Sequence, residues 1–73
     1  MFEKAGNIYA KINMFKSAAQ CYFKAKIWYK AGNYFEKAGK YIDAIIAYKS
    51  GNLYKDLINS IQRLSLISYT YTH

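Results

Sequence analysis

Lys4-Ala5-Gly6-Asn7 returns, letter for letter, as Lys30-Ala31-Gly32-Asn33, an offset of 26 residues. The same step aligns Phe2 with Trp28, Tyr9 with Phe35, Lys11 with Lys37, Phe15 with Tyr41, Ala18 with Ala44 and Tyr22 with Tyr48. A second step reaches Tyr54, Leu57, Ile58, Asn59, Ile61 and Arg63, which keep the alternation of large and small residues and the basic position. A fixed period of this kind is the signature of stacked supersecondary units, each too small to bury its own apolar face.

Inside a unit the apolar spacing is helical. Phe2, Ala5, Tyr9 and Ile12 fall on one face, as do Trp28, Ala31, Phe35 and Ala38. After a break at Asn13 or Gly39, residues that tolerate the left-handed conformation, a second stripe follows. It runs Phe15, Ala18, Tyr22, Ala25 and then Tyr41, Ala44, Tyr48, with Gly51-Asn52 closing the second unit. Proline is absent, so nothing obstructs helix anywhere. The spacing predicts an all-α solenoid segment over residues 1–65, with helix–turn–helix units near 2–25, 28–51 and 54–65. Residues 66–73 depart from it: Ile67-Ser68-Tyr69-Thr70-Tyr71-Thr72 alternates β-favouring residues and reads as a frayed tail of a piece of a longer array.

The alternation has a packing logic. Ala5, Ala18, Ala31 and Ala44 are holes, and Phe2, Tyr22, Trp28 and Tyr48 are the knobs that fill them, so Trp28 and Tyr48 are expected among the most buried side chains. Gly6 and Gly32 lie within helices, where Gly costs about 1 kcal/mol relative to Ala, and so mark places of close helix approach.

These residues resemble the tetratricopeptide (TPR) pattern. Trp28, Ala31-Gly32, Phe35, Ala44, Tyr48 and Gly51 match its spacing, and Phe2, Ala5-Gly6, Tyr9, Ala18, Tyr22 and Ala25 match it again. The period is 26 instead of 34 residues and the terminal Pro is missing, so the hairpins are shorter. The run from Ala18 to Phe35 is also similar to the helical layer of the soluble NSF attachment proteins. The whole chain, with Gly51-Asn52-Leu53-Tyr54-Lys55-Asp56-Leu57-Ile58, is similar to short repeats of TPR-and-ankyrin proteins that carry a UvrD-like helicase core, and to repeats of intraflagellar-transport and coat subunits. The TPR resemblance implies a right-handed solenoid that serves as a scaffold or adaptor for proteins, with the first helix of each unit lining a concave groove. The narrower resemblances imply a vesicle-trafficking adaptor or an accessory segment of a nucleic-acid enzyme.

Two ladders stand at the repeat offset: Asn7, Asn33 and Asn59, and Lys11, Lys37 and Arg63, four residues further on the same side. Asn at this place resembles one residue of the clamp by which TPR grooves grip peptide carboxylates, although Glu3 and Tyr29 stand where that clamp carries Lys. The six ladder residues are the candidate contacts for a protein or peptide partner, and the acidic character of that partner follows from charge. Eleven Lys and Arg against four Asp and Glu give a formal net charge of +7. The lysines are spread over both helices of each unit, whereas a nucleic-acid surface would gather them on one face, so nucleic acid is the weaker alternative.

Catalytic and cofactor chemistry finds no support in the sequence. One cysteine, Cys21, and one terminal His73 cannot assemble a metal site, and no cofactor is expected. Glu3, Glu36, Asp43 and Asp56 are scattered, none three or four residues from another, so no helix carries an acid–base pair. No phosphate-binding glycine loop occurs. The chain shows no secretory start and no apolar run long enough for a membrane span, which points to the cytoplasm or nucleus.

Overall fold

A computed structural model describes residues 1–72, with side chains described through Tyr69. Five helices follow one another: α1 (Phe2–Lys11), α2 (Phe15–Lys24), α3 (Trp28–Lys37), α4 (Tyr41–Ser50) and α5 (Tyr54–Thr72). Each packs on the next in chain order, and no strand occurs among the described residues. The result is a slab of 43 × 26 × 13 Å, one layer of paired helices deep, as expected of a repeat stack.

The helices begin at residues 2, 15, 28, 41 and 54, so the structural period is 13, half the repeat seen in the sequence. An aromatic opens every helix: Phe2, Phe15, Trp28, Tyr41 and Tyr54. Every connection is the same three-residue turn. Asn13, Lys26, Gly39 and Asn52 all adopt positive φ, between 57° and 75°. The N–H groups of Met14, Ile27, Lys40 and Leu53 reach back to the carbonyls of Tyr9, Tyr22, Phe35 and Tyr48 at 2.8–2.9 Å. The N–H of the positive-φ residue bonds the carbonyl three residues before it, at 2.9–3.1 Å. This pair of bonds is the Schellman closure, which satisfies carbonyls a helix end leaves orphaned. Lys26 lacks the small or amide side chain that favours positive φ, so packing of α3 against α2 imposes the turn there.

The core runs along the middle of the slab: Ala18, Ala19, Tyr22, Ala31, Phe35, Ala44, Ala47 and Tyr48. All lie on α2, α3 and α4, whereas among the described residues α1 buries only Gly6 and α5 only Ser60. Large-on-small packing is borne out at both glycines. A Cβ placed on Gly6 would lie 2.9 Å from the Tyr22 ring, and one on Gly32 would lie 2.6 Å from Cδ1 of Tyr48. Side-chain carbon there would overlap the ring, which is why glycine is kept inside two helices despite its low propensity.

Two expectations need correction. Trp28 is half-buried, not among the most buried side chains; Tyr48 and Tyr22 hold that place, at 1% and 2% exposure. Trp28 packs edge-on against Phe23, ring centroids 4.9 Å apart, and its Cβ lies against Gly51. It seals the joint between α2 and α4 from outside instead of entering the core. Second, the β-favouring alternation over residues 66–72 does not make them extended: α5 continues to Thr72. Position 65, where the period would place the next reversal, is Ser, with neither the Gly nor the Asn that releases most of the other helices into the left-handed region. Once Leu57 and Ser60 dock against the stack, propagation of an existing helix outweighs the weak β preference of the residues that follow.

Candidate functional site

Two clefts open between successive first helices. One, between α1 and α3, is lined by Asn7, Lys11, Tyr22, Lys30 and Tyr34. The other, between α3 and α5, is lined by Asn33, Glu36, Lys37, Tyr41 and Arg63, and again by Lys30 and Tyr34. Lys30 and Tyr34 belong to both, so the clefts adjoin and form one groove across α1, α3 and α5. Five of the six ladder residues (Asn7, Lys11, Asn33, Lys37 and Arg63) are brought together there. The sixth, Asn59, is exposed on α5 and lines neither cleft.

The ladder residues differ in what holds them. Tyr22 donates its hydroxyl proton to Oδ1 of Asn7, and Tyr48 does the same to Oδ1 of Asn33 at 2.7 Å. Each Asn therefore tethers the tyrosine that packs on the glycine just before it. The second helix of each unit is thus fixed by ring burial at one end of the side chain and a hydrogen bond at the other. The amide ladder is first a structural device, and only its remaining polar edge faces the groove.

Glu36 organises the α3–α5 cleft. Its Oε2 accepts from Ser60 Oγ at 2.6 Å and from Arg63 Nη1 at 2.7 Å, and its Oε1 lies 3.0 Å from the Tyr48 hydroxyl. The carboxylate is 14% exposed, so these bonds form where water competes weakly. Burial pushes the Tyr48 phenol far above its ordinary range, and the bond to Glu36 adds to the effect. Burial also raises Tyr22, with smaller contributions from Tyr34 and Glu3. Neither phenol is available as a base near neutrality.

The α1–α3 cleft solves the same junction differently. One repeat earlier, Ala10 stands for Glu36, Tyr34 for Ser60 and Lys37 for Arg63. Tyr34 fills the space with its ring, 5.5 Å from the Tyr22 centroid and 6.0 Å from that of Phe15. Lys37, which lines the neighbouring α3–α5 cleft, forms no salt bridge among the described residues and rests over Tyr34 and Phe15, at 4.7 and 5.7 Å from the ring centroids. Lys30 meets Glu3 only loosely, at 3.9 Å, and also lies over the Tyr22 ring. Lys11 is exposed at the rim. The basic ladder thus splits: the charge of Arg63 is answered by Glu36, whereas Lys11 and Lys37 form no salt bridge among the described residues. Sequence reasoning missed Lys30, Tyr34 and Glu36 as groove residues. The exchange of Ala10 for Glu36 between units was the available signal.

No group of three potential metal ligands occurs among the described residues, and no helix there is long and apolar enough to cross a membrane. A scan against protein families and searches of curated proteins and of solved structures found no match.

Proposed function

We propose that this chain is a TPR-like protein-interaction module whose groove across α1, α3 and α5 takes an acidic peptide. The observation that carries the reading is the splitting of the basic ladder. Lys11 and Lys30 line the α1–α3 cleft and Lys30 and Lys37 the α3–α5 cleft, with aromatic rings beneath Lys30 and Lys37, and Glu36, the carboxylate lining the α3–α5 cleft, is engaged by Arg63, Ser60 and Tyr48. A ligand carboxylate entering where the two clefts adjoin meets Lys30 and Lys37, whose ammonium groups already lie over aromatic rings, which lowers the entropy lost on binding. Asn7 and Asn33 supply the polar edge that an extended backbone needs. The role is that of a scaffold or adaptor, with no reaction performed.

Fluorescence anisotropy with labelled peptides provides the test. An Asp/Glu-rich peptide is expected to bind saturably and a neutral peptide of the same length to bind weakly or not at all. Exposed ion pairs are worth about 0.2–1 kcal/mol each, so reversing two charges, Lys11→Glu with Lys37→Glu, weakens acidic-peptide binding by roughly tenfold. Reversing Lys49, which lines neither cleft, leaves binding nearly unchanged. Single-stranded oligonucleotides that bind more tightly than any acidic peptide, with affinity collapsing as salt rises, would instead support the nucleic-acid reading.

A further inference from the structure

The groove offers hydrogen-bond donors far more freely than acceptors. Tyr22 and Tyr48 occupy Oδ1 of Asn7 and Asn33, so the edge left to each amide is Nδ2, which only donates. Lys11, Lys30 and Lys37 have no acceptor capacity at all. The Tyr34 hydroxyl, which both clefts share, makes no hydrogen bond among the described residues and is free to donate. Glu36 already receives Ser60 and Arg63 on Oε2, and its Oε1 lies against the Tyr48 hydroxyl. We propose that the place where the two clefts adjoin is a phosphomonoester site, filled by a phosphoserine of the bound peptide. This rests on the acidic-peptide reading of the groove and names the group that carries the acid.

Three features favour phosphate over carboxylate. The first is oxygen. A phosphoryl group brings acceptors only, three terminal oxygens against the two of a carboxylate, to a surface that has donors to spend. The second is charge. Arg63 is neutralised by Glu36 and Lys30 is met only loosely by Glu3, while Lys11 and Lys37 form no salt bridge among the described residues. One carboxylate leaves part of that surplus standing, whereas a phosphomonoester carries about −1.5 to −2 near neutrality. The third is the kind of cation. The single arginine of the chain, whose planar fork matches a carboxylate, is spent on Glu36. Every cation left is lysine, a point charge that serves phosphate without imposing a plane.

The place within the groove follows from the repeat. Lys30, Tyr34 and Lys37 stand at four- and three-residue spacing on α3, so the phenol lies one turn from each cation. Lys30 rests over Tyr22 and Lys37 over Tyr34, and the two rings adjoin with centroids 5.5 Å apart. One repeat later Ser60 and Arg63 replace Tyr34 and Lys37, and both are given to Glu36. That end therefore offers no second site of the same kind.

The test is fluorescence anisotropy of the 73-residue chain with three acidic peptides identical except for a central phosphoserine, Glu or Ser. The phosphoserine peptide is expected to bind tightest, about fivefold better than the Glu peptide, and the Ser peptide weakest. Lys30→Met with Lys37→Met keeps the stems on the rings without the charges, and is expected to erase the phosphoserine advantage with circular dichroism unchanged. Asn7→Asp leaves Tyr22 an acceptor but removes the Nδ2 donor, and is expected to weaken the phosphoserine peptide more than the Ser peptide. A phosphoserine peptide that binds no better than the Glu peptide overturns the proposal and leaves the acidic-peptide reading standing. No saturable binding of any of the three overturns that reading and the proposal with it. A phosphoserine preference that survives the double Met variant also overturns it, as does displacement of the peptide by an equal concentration of inorganic phosphate. Tighter binding of a 5′-phosphorylated oligonucleotide, or of vesicles bearing a phosphomonoester lipid, gives the site to that source and overturns the peptide assignment.

Discussion

At Gly32 a missing side chain is what allows the neighbouring helix to approach. The Tyr48 ring occupies the space a Cβ would need, and it cannot simply swing aside because its hydroxyl is held by Asn33 and Glu36. Gly32→Ala is therefore expected to destabilise by about 1–3 kcal/mol, the usual range for overpacking, although Ala is the better helix former. Gly39 is the contrast: its φ is +75° and nothing lies within 4 Å of its built Cβ. Gly39→Ala meets only backbone strain, about 1 kcal/mol. Thermal denaturation of the two variants separates ring displacement from strain. If Gly32→Ala melts above the parent, the close approach contributes nothing. The same tether makes Asn33 structural: Asn33→Ala removes an acceptor from a buried phenol and is expected to weaken the fold.

Among the elements, α5 depends most on a single residue. Glu36 on α3 receives Ser60 and Arg63 from α5 and also touches Tyr48 on α4, joining three helices. Glu36→Gln keeps the shape but turns an N–H toward groups that donate, and hydrogen bonds to charged groups contribute about 1.5–3 kcal/mol each. An overall loss of about 2 kcal/mol is expected, with faster amide exchange confined first to α5. Unchanged protection in α5 would show that apolar packing alone holds it. Helices α2 and α4 carry a different sensitivity, because each delivers a buried tyrosine. Both phenols are raised above their ordinary value of 10.0 in the folded state, so above that pH the unfolded chain has already released protons the folded chain keeps. The folded state is favoured fully below pH 10 and progressively less as pH climbs through the raised values. The melting temperature is expected to fall above pH 10, and Tyr48→Phe to flatten that fall.

The whole molecule is a stack in which burial is concentrated in the middle. Among the described residues, every buried apolar side chain of the core belongs to α2, α3 or α4. A linear stack opens from its ends, since end helices have a neighbour on one side only. Hydrogen exchange is expected to give graded protection, slowest for the amides of Ala31, Phe35 and Ala44 and fastest in α1 and the second half of α5. A single uniform opening rate for all five helices would show that the slab behaves as one cooperative unit.

Much of this architecture was legible in the chain. The recurrence of Lys-Ala-Gly-Asn, the helical spacing of aromatics and alanines, and the breaks at Asn13, Gly39 and Asn52 specify short helices in a repeating stack, because local spacing and left-handed turns are set by neighbouring residues. The two glycines announced close approach for the same reason. What the sequence left open depended on partners distant along the chain. That Lys26 also turns left-handed follows from helices packing on either side of it. That Trp28 seals an edge while Tyr48 is buried depends on Gly51 and Gly32 lying across from them. The separate fates of Lys37 and Arg63, one resting on rings and the other bound to Glu36, required α5 to be set beside α3. Repetition fixes which residues are equivalent; only the three-dimensional neighbours decide what each of them can still bind.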